Sequence, residues 1–228
     1  MARPWTTLEQ VDTPDGALEL RQRGEDDFLI TIAGRVLMNS HASRSEAALG
    51  EIAAAAALSA VSAANAPAPT LLIGGLGMAC TLRSALDGLP DHARVVVSEL
   101  NDVVVRWCNG PLAPLTDHAS ADARVVIEHG DVAARIRQAA DRGGEFHAIA
   151  LDLYEGPHAG RAAERDPLFG RDALRTTRKA LRRGGTLTLW TEHRDAAFEK
   201  RLRTAGYRFE VQRPGRGGLR HAVYLARP

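Results

Sequence analysis

The chain has 228 residues, of which 45% are hydrophobic and 25% are charged, as is ordinary for a globular protein with a substantial core. Lysine and arginine number 29 against 28 aspartates and glutamates, so the net charge of +1 gives no overall attraction to nucleic acid or membrane surfaces. The two cysteines form neither a disulfide framework nor a metal-binding spacing, and no apolar run is long enough to span a membrane. We therefore expect a cytoplasmic protein without a bound metal.

The start of the chain favours a small antiparallel β meander. Apolar residues alternate or cluster in three short runs separated by glycine-containing turns, at 17–22, 28–33 and 35–39. Ser43 then opens an alanine-rich helix that we expect to run to about residue 64. This change of pattern divides the chain into an N-terminal β segment, 1–42, and a main domain, 43–228.

From residue 70 onward, short apolar runs alternate with segments of helical spacing. After a first strand at about 70–74, strands are predicted at 94–99, 124–128, 146–152 and 185–192, and helices at 78–88, 101–109, 131–142, 168–183 and 195–205. This alternation is typical of a parallel sheet with helices on both faces. The last two strands, 207–213 and 221–227, are joined by a short glycine-rich link that only an antiparallel hairpin can bridge.

The first strand of the main domain runs into a cluster of glycines. Gly74, Gly75 and Gly77 interrupt the apolar run, and helical spacing resumes at about Thr81. Such a strand, turn and helix allows positive φ angles and lets a ligand approach the backbone near a helix N-terminus. The same pattern is also found at tight turns that bind nothing, so this motif alone leaves both interpretations open.

Carboxylates follow the next three parallel strands. Glu99 ends one strand, Asp131 follows the second and Asp152 ends the third. In an open parallel sheet the carboxyl ends of the strands face the ligand crevice, so these acids should converge there. Glu99 also lies 22 residues after Gly77, near the offset of about 20 that is typical of a carboxylate binding ribose hydroxyls. Each acid alone is typical of a solvated loop or a helix cap, but together with the glycine turn they predict a nucleoside site.

The order of these motifs resembles the spermidine synthase-like branch of the class I S-adenosyl-L-methionine (AdoMet) dependent transferases. The likeness rests on the glycine motif 73–79, on Glu99, on Gly130-Asp131-Val132, on the segment 152–157 (DLYEGP) and on the closing hairpin. It implies an α/β, Rossmann-like class I methyltransferase fold. This fold has a mostly parallel seven-stranded sheet with a C-terminal antiparallel hairpin, here preceded by the small N-terminal β segment.

The resemblance also implies roles for particular residues, with AdoMet or decarboxylated AdoMet as co-substrate and no metal. Glu99 would bind the ribose, Asp131 the adenine, and Asp152 would orient the nucleophile and accept its proton or stabilise its cation. The residues expected to contact the co-substrate are Gly74, Gly75, Gly77, Glu99, Asp131 and Asp152, and those expected at the acceptor are Asp152, Tyr154 and Glu155. A small-molecule acceptor, with an amine as one candidate, and a homodimer are expected by the same resemblance.

Two departures from the family pattern leave the reaction open. Gly77 stands at about the place where the synthases carry an aspartate, and 47–50 (AALG) replaces a tyrosine and a histidine beside their polyamine channel. These losses favour methyl transfer to a small molecule. Asp152 and Glu155 keep aminopropyl transfer to an amine as the alternative, and a non-catalytic binding protein of the same fold is the third hypothesis.

Overall fold

The structure is a computed structural model, and it describes residues 3–61, 67–154, 156–157, 161–214 and 221–228. Two β-sheets organise this part of the chain, an antiparallel sheet of four strands and a mixed sheet of seven. Within it, no helix is long and apolar enough to cross a membrane. Single turns of 3-10 helix lie at Ser40–Ala42, Ala113–Thr116, Ala119–Ala121 and Arg161–Arg165.

The N-terminal sheet is a meander in which each strand pairs antiparallel with the next. Its strands are β1 (Thr6–Thr13), β2 (Gly16–Arg23), β3 (Asp27–Ile32) and β4 (Arg35–Asn39). The sequence predicted the last three strands and missed β1, because β1 is mostly polar and none of its residues is buried. β1 is held instead through Glu9, whose carboxylate accepts a 2.7 Å hydrogen bond from the indole of the buried Trp107.

The main sheet has the strand order β10-β11-β9-β8-β5-β6-β7. Its strands are β5 (Thr70–Gly74), β6 (Arg94–Glu99), β7 (Val125–His129), β8 (Phe146–Leu151), β9 (Leu181–Thr191), β10 (Arg208–Gln212) and β11 (Ala222–Arg227). Strands β5 to β9 are parallel, whereas β11 pairs antiparallel with both β9 and β10. The closing antiparallel hairpin and the Rossmann-like class I methyltransferase fold are thereby confirmed.

Six helices accompany this sheet in the described residues. They are α1 (Arg44–Ser59), α2 (Cys80–Gly88), α3 (Asp102–Asn109), α4 (Val132–Asp141), α5 (Arg171–Ala180) and α6 (Ala196–Thr204). Their positions agree with the predicted helices to within a few residues at most ends. The first helix was expected to reach about residue 64, but α1 ends at Ser59, and 62–66 lie outside the described residues.

Another difference from the predicted elements is at the junction of α5 and β9. The sequence predicted a helix to residue 183, whereas α5 ends at Ala180 and β9 begins at Leu181. The pairing of β9 with β8 shifts register after Leu181, and Gly184 in the shifted segment has φ +78°. The run of arginines before Gly184 resembles the charged face of a helix, but the glycine permits a bulge instead.

Two hydrophobic cores cover the faces of the main sheet, and the sequence of β5 shows why. Its consecutive apolar residues point to opposite faces, so Leu71 and Ile73 enter one core while Leu72 enters the other. The first core also contains buried residues of the N-terminal sheet and of α1, α2 and α3, and the second contains buried residues of α4, α5 and α6. An uninterrupted apolar strand is thus required by burial on both faces.

Helices α1 and α2 cross closely at Gly50, which the resemblance had marked only as the loss of a polar side chain. A Cβ at Gly50 would overlap the carbonyl oxygen of Thr81 and lie 2.9 Å from the amide nitrogen of Ala85. At the same crossing, the Ser84 hydroxyl donates to the carbonyl of Ala47 at 2.7 Å. Gly50 is therefore needed for the contact that fixes the start of α1 against the start of α2.

We expect Gly50→Ala to lower the free energy of unfolding by about 2 kcal/mol, because the added methyl group overpacks the crossing. At an unconstrained helical site the same change would raise it by about 1 kcal/mol. Urea denaturation measures the difference. Ala55→Gly is the matched control, since Ala55 is exposed on the same helix and its replacement should cost only the difference in helix propensity. A Gly50→Ala protein more stable than the parent would contradict the close crossing.

Candidate functional site

The predicted site residues follow the carboxyl ends of the parallel strands. Gly74 at the end of β5 is paired with Ser98 of β6 on one side and with Leu151 of β8 on the other. Glu99 at the end of β6 is paired with His129 at the end of β7. This register places the glycine turn, Glu99, Asp131 and Asp152 along one edge of the sheet, as the sequence predicted.

The glycine turn is shaped by close contacts within the protein. Gly75 has φ +89°, and a Cβ there would overlap the carbonyl oxygen of Asp152. A Cβ on Gly74 would lie 2.8 Å from a methyl carbon of Val132. Gly74 and Gly75 are thus required by the packing of β5 against its neighbours, whether or not a ligand approaches the backbone here. The helix after the turn begins at Cys80, two residues later than predicted.

The N-terminal sheet covers the same turn through Met38 of β4. The amide of Met78 donates to the Met38 sulfur at 3.2 Å, and a Cβ on Gly77 would lie 2.9 Å from this sulfur. Gly77 itself has φ +53°, a conformation that favours glycine. No pattern in the sequence predicts this contact, because Met38 lies on the N-terminal sheet, about 40 positions before the turn. It places an apolar sulfur where the synthases of the resembling family carry an aspartate.

Glu99 holds the glycine turn from the neighbouring strand. Its side chain is buried, with 6% of the residue exposed. One carboxylate oxygen accepts from the amide of Leu76 at 2.8 Å, and the other accepts from the amide of Asn101 at 2.9 Å. A carboxylate oxygen has two lone pairs, so each still has one left for a ligand hydroxyl. This arrangement fits a ribose diol and fixes the turn as well.

Asp131 has a structural role that the sequence had offered as an alternative. It is the N-cap of α4, and its carboxylate accepts from the amide of Ala133 at 2.8 Å. Its second oxygen lies 3.9 Å from the Arg137 guanidinium, and about half of its side chain is exposed. One oxygen is thus used for capping while the other remains accessible. Contact with an adenine stays a prediction for this residue.

Asp152 is a carboxylate without a cation. It is partly buried, and one oxygen lies 2.6 Å from the hydroxyl of Thr81 in the first turn of α2. Loss of water around the group raises its pKa to about 7, with a further increase from the Glu46 carboxylate, although the Thr81 hydrogen bond opposes the shift. Among the described residues, no Lys, Arg or His forms an ion pair with it. A cationic ligand group would provide the missing counter-charge.

The Thr81 hydroxyl shows how Asp152 is satisfied without a ligand. Its oxygen lies within hydrogen-bond distance of Asp152 and, at 3.0 Å, of the carbonyl oxygen of Glu46. A hydroxyl has only one hydrogen to donate. Both contacts are hydrogen bonds at once when Asp152 is protonated and donates to Thr81, while Thr81 donates to Glu46. The ligand-free arrangement therefore suits a neutral Asp152, in agreement with the direction of its pKa shift.

Two further residues, Tyr154 and Glu155, were predicted to lie at the acceptor, and the structure describes only Tyr154. Tyr154 is 40% exposed, and the Arg35 guanidinium carbon lies 5.4 Å from the centre of its ring. Tyr154 therefore connects the segment after β8 to the start of β4. Glu155 lies outside the described residues, so its predicted role is neither supported nor opposed.

Both cysteines lie near the glycine turn as thiols. Burial raises the pKa of Cys80 to about 11 and that of Cys108 to about 12. The Cys108 thiol donates to the carbonyl of Gly77 at 3.3 Å. These positions favour packing as the role of both cysteines, since a raised pKa disfavours the nucleophilic thiolate.

Further polar groups beside Asp152 were not predicted from the sequence. Ser45 and Glu46 in the first turn of α1 lie near Trp190, at the end of β9, and near His221, just before β11. They are far apart along the chain and belong to no motif of fixed spacing. Ser45 lies between the charged residues Arg44 and Glu46, so the local sequence does not mark it as buried.

Comparisons with known proteins show the fold. Neither models of protein families nor curated protein sequences give a match. Among solved structures, spermidine synthase from Thermotoga maritima has a TM-score of 0.72 and 16% identity, covering 96% of this chain and 72% of that chain. Spermidine synthase in complex with the transition state analogue AdoDATO has a TM-score of 0.70 and 16% identity, over 96% of this chain and 71% of that chain.

A methyltransferase-like structure is also similar. Human methyltransferase-like protein 13 in complex with SAH has a TM-score of 0.56 and 17% identity, covering 81% of this chain and 80% of that chain. Identities this low establish the fold and leave the reaction undetermined. Together with the strand order and the closing hairpin, these likenesses show that the chain has a spermidine synthase-like, Rossmann-like α/β fold.

Proposed function

We propose that this protein is an AdoMet-dependent transferase that methylates a small-molecule acceptor by in-line displacement at the sulfonium. The observation that carries the proposal is Asp152, a partly buried carboxylate beside the glycine turn that forms no ion pair with a cation in the described part of the chain. A carboxylate in such a place favours a positively charged ligand group, because the charge compensates for lost hydration. A sulfonium carries that charge, and the fold is shared with proteins solved with AdoDATO and SAH.

The residues present fit the adenosyl part of this co-substrate. Glu99 has one unused lone pair on each oxygen for the ribose hydroxyls, and the second oxygen of Asp131, which accepts no hydrogen bond from the described residues, could bind the adenine amino group. The backbone of 74–77 would lie against the methionine part. When bound, AdoMet supplies an electrophilic methyl carbon. The protein has to orient the acceptor against that carbon, exclude water and provide for the acceptor's proton.

Asp152 is the group we place nearest the reacting atoms. Its carboxylate can stabilise a cation and orient a nucleophile that donates a hydrogen bond. Met38 covers one side of the glycine turn and Tyr154 packs against Arg35 of β4, so we propose that both limit access of water. Tyr154 and Glu155 are proposed to line the acceptor pocket.

Aminopropyl transfer from decarboxylated AdoMet is the second candidate. It is favoured by the two carboxylates of Glu46 and Asp152, which lie close enough for Glu46 to raise the pKa of Asp152. Such a pair suits an ammonium group of an amine acceptor. Against it, the residues 47–50 (AALG) offer no polar side chain for a diamine acceptor.

We also propose a homodimer that acts in the cytoplasm on a small molecule, without nucleic acid or membrane as partner. The dimer contact is proposed at the N-terminal sheet, where Leu8 is 43% exposed and Val36 is 56% exposed. Exposed apolar side chains on one sheet favour association with a second copy.

A thermal-shift titration with four ligands tests the reaction type, since a ligand that binds only the folded state raises the melting temperature. We expect larger increases with AdoMet and S-adenosylhomocysteine (SAH) than with decarboxylated AdoMet and methylthioadenosine. The reverse order would favour aminopropyl transfer. No shift with any of the four would contradict the transferase proposal and favour a non-catalytic protein of this fold.

A further inference from the structure

A chain of hydrogen bonds joins His221 to the first turn of α1. The Ser45 hydroxyl donates to a carboxylate oxygen of Glu46 at 2.6 Å, and the same hydroxyl oxygen lies 3.0 Å from Nδ1 of His221. Ser45 is buried, with 5% of the residue exposed, whereas His221 is half-buried. The three residues are brought together by the fold alone, because Ser45 and His221 are 176 positions apart.

The directions of these bonds determine the state of the imidazole. Ser45 uses its one hydrogen on Glu46, so its oxygen can only accept from His221. Nδ1 of His221 must therefore carry a hydrogen. In the neutral ring this leaves Nε2 unprotonated, and Nε2 has no hydrogen-bond partner among the described residues. The arrangement holds the imidazole as a base whose free nitrogen is Nε2.

The same turn of α1 connects this imidazole to the proposed site. The carbonyl of Glu46 accepts from the Thr81 hydroxyl at 3.0 Å, and that hydroxyl lies 2.6 Å from Asp152. His221 directly precedes Ala222, which pairs with Thr191 at the carboxyl end of β9. Glu46 is thus linked to His221 through Ser45 and to Asp152 through Thr81, at one edge of the sheet.

The indole of Trp190 adds a second, independent sign of a ligand here. Its ring meets the His221 ring edge to face at 4.9 Å between centres. Its Nε1 is buried and has no hydrogen-bond partner among the described residues. A buried N–H without an acceptor is unfavourable and is normally satisfied by protein or by a ligand. A ligand atom with a lone pair next to His221 would satisfy it.

We propose that His221 accepts the proton of the nucleophile in this transfer, with Ser45 and Glu46 as positioning residues. The inference rests on the proposed function. The nucleophile's lone pair forms a bond to the alkyl carbon, the carbon–sulfur bond breaks, and its electron pair neutralises the sulfonium. The nucleophile's proton moves to Nε2 and later to solvent. The imidazolium formed is stabilised through Ser45 by the Glu46 carboxylate.

Ser45 itself is not placed to act as a nucleophile. In a hydrolytic triad the imidazole accepts the serine hydrogen and a carboxylate holds the far side of the imidazole. Here the Ser45 hydrogen is directed to Glu46, and Ser45 is buried between the other two groups. In the order Glu46, Ser45, His221, the imidazole keeps Nε2 as a free basic nitrogen, whereas the Ser45 hydroxyl has no hydrogen left to give to it.

Glu46, Ser45 and His221 form a hydrogen-bonded relay, and the tautomer of His221 tests this relay without any acceptor substrate. Long-range ¹H–¹⁵N NMR of protein labelled in histidine distinguishes Nδ1–H from Nε2–H, and the signal missing in His221→Asn assigns the residue. We expect the Nδ1–H form in the parent and a shift toward the Nε2–H form in Ser45→Ala. An Nε2–H tautomer in the parent would overturn the relay, whether or not the protein proves to be a transferase.

The catalytic role of His221 is tested by measuring the formation of SAH from AdoMet. An equimolar mixture of a primary amine, a thiol and a catechol supplies the candidate acceptors. Asparagine keeps an N–H near the position of Nδ1 but has no Nε2, so His221→Asn should keep the melting temperature and SAH affinity while kcat falls at least about 100-fold. His92→Asn, at an exposed histidine, is the matched control and should change none of these.

The outcomes separate the two proposals. Equal turnover by the parent and His221→Asn would overturn His221 as the proton acceptor and leave the proposed function intact. If the parent forms no SAH and binds none of the adenosyl ligands, the proposed function fails. In that case an Nδ1–H tautomer still supports the relay, and an Nε2–H tautomer rejects it.

Discussion

Replacing Glu99 with alanine should weaken both the glycine turn and the binding of every adenosyl ligand. The buried carboxylate accepts from the amides of Leu76 and Asn101, at 2.8 and 2.9 Å. Leaving such donors unsatisfied costs about 1–3 kcal/mol each, so we expect the free energy of unfolding to fall by about 2–4 kcal/mol. A lost hydrogen bond to the ligand of similar strength would weaken SAH binding about 10- to 100-fold.

Calorimetric titration with SAH, below the melting temperature of the variant, separates the two effects. Asp131→Ala is a milder variant for comparison, because Asp131 is about half exposed and accepts a hydrogen bond from one backbone amide rather than two. It should lose less stability than Glu99→Ala and still bind SAH more weakly than the parent. Unchanged SAH affinity in both variants would refute the assignment of this edge as an adenosyl site.

Asp152→Asn should stabilise the protein at neutral and alkaline pH while lowering its turnover. Burial raises the pKa of the carboxyl from 3.8 to about 7 in the folded protein. Between these values the folded state binds a proton that the unfolded state has lost, so the parent loses stability as pH rises from about 4 to about 7. Asparagine keeps the shape and does not titrate.

The difference in free energy of unfolding between Asp152→Asn and the parent should therefore grow with pH. We expect it to be about 2 to 3 kcal/mol larger at pH 8 than at pH 5, read from urea denaturation at both values. If the free energy of unfolding changed with pH in the same way for both proteins, the fold would not perturb the pKa of the Asp152 carboxyl. Turnover should fall more than SAH affinity, and the opposite pattern would make Asp152 a binding group.

The fold could be predicted because burial imposes its pattern on the sequence. Leu71, Leu72 and Ile73 are apolar in succession because both faces of β5 are covered, and an apolar run of this length ended by glycine predicts a parallel strand. The acids at the strand ends could be placed at one edge for the same reason. The closing hairpin followed from a link too short for a crossover.

What the sequence could not predict depends on contacts between distant segments. β1 is polar and lies exposed, so no periodicity marks it, and Glu9 is held by Trp107 from α3. Met38 reaches Gly77 from another sheet, and His221 reaches Ser45 across the whole chain. Such pairs have no fixed spacing. The division at residues 42 and 43 and the roles of individual site residues stay predictions.

The account depends most directly on Asp152 as the counter-charge of a sulfonium, and calorimetry with AdoMet and SAH at pH 6 and pH 8 tests it. AdoMet carries the sulfonium charge and SAH does not. Because the ligand-free Asp152 has a pKa of about 7, AdoMet should bind the parent about tenfold more tightly at pH 8 than at pH 6. The affinity for SAH should change little between these pH values. In Asp152→Asn, the affinity for AdoMet should no longer depend on pH in this way. If AdoMet and SAH binding showed the same pH dependence, or if AdoMet binding to the parent and to Asp152→Asn did, Asp152 would not be the counter-charge of the sulfonium.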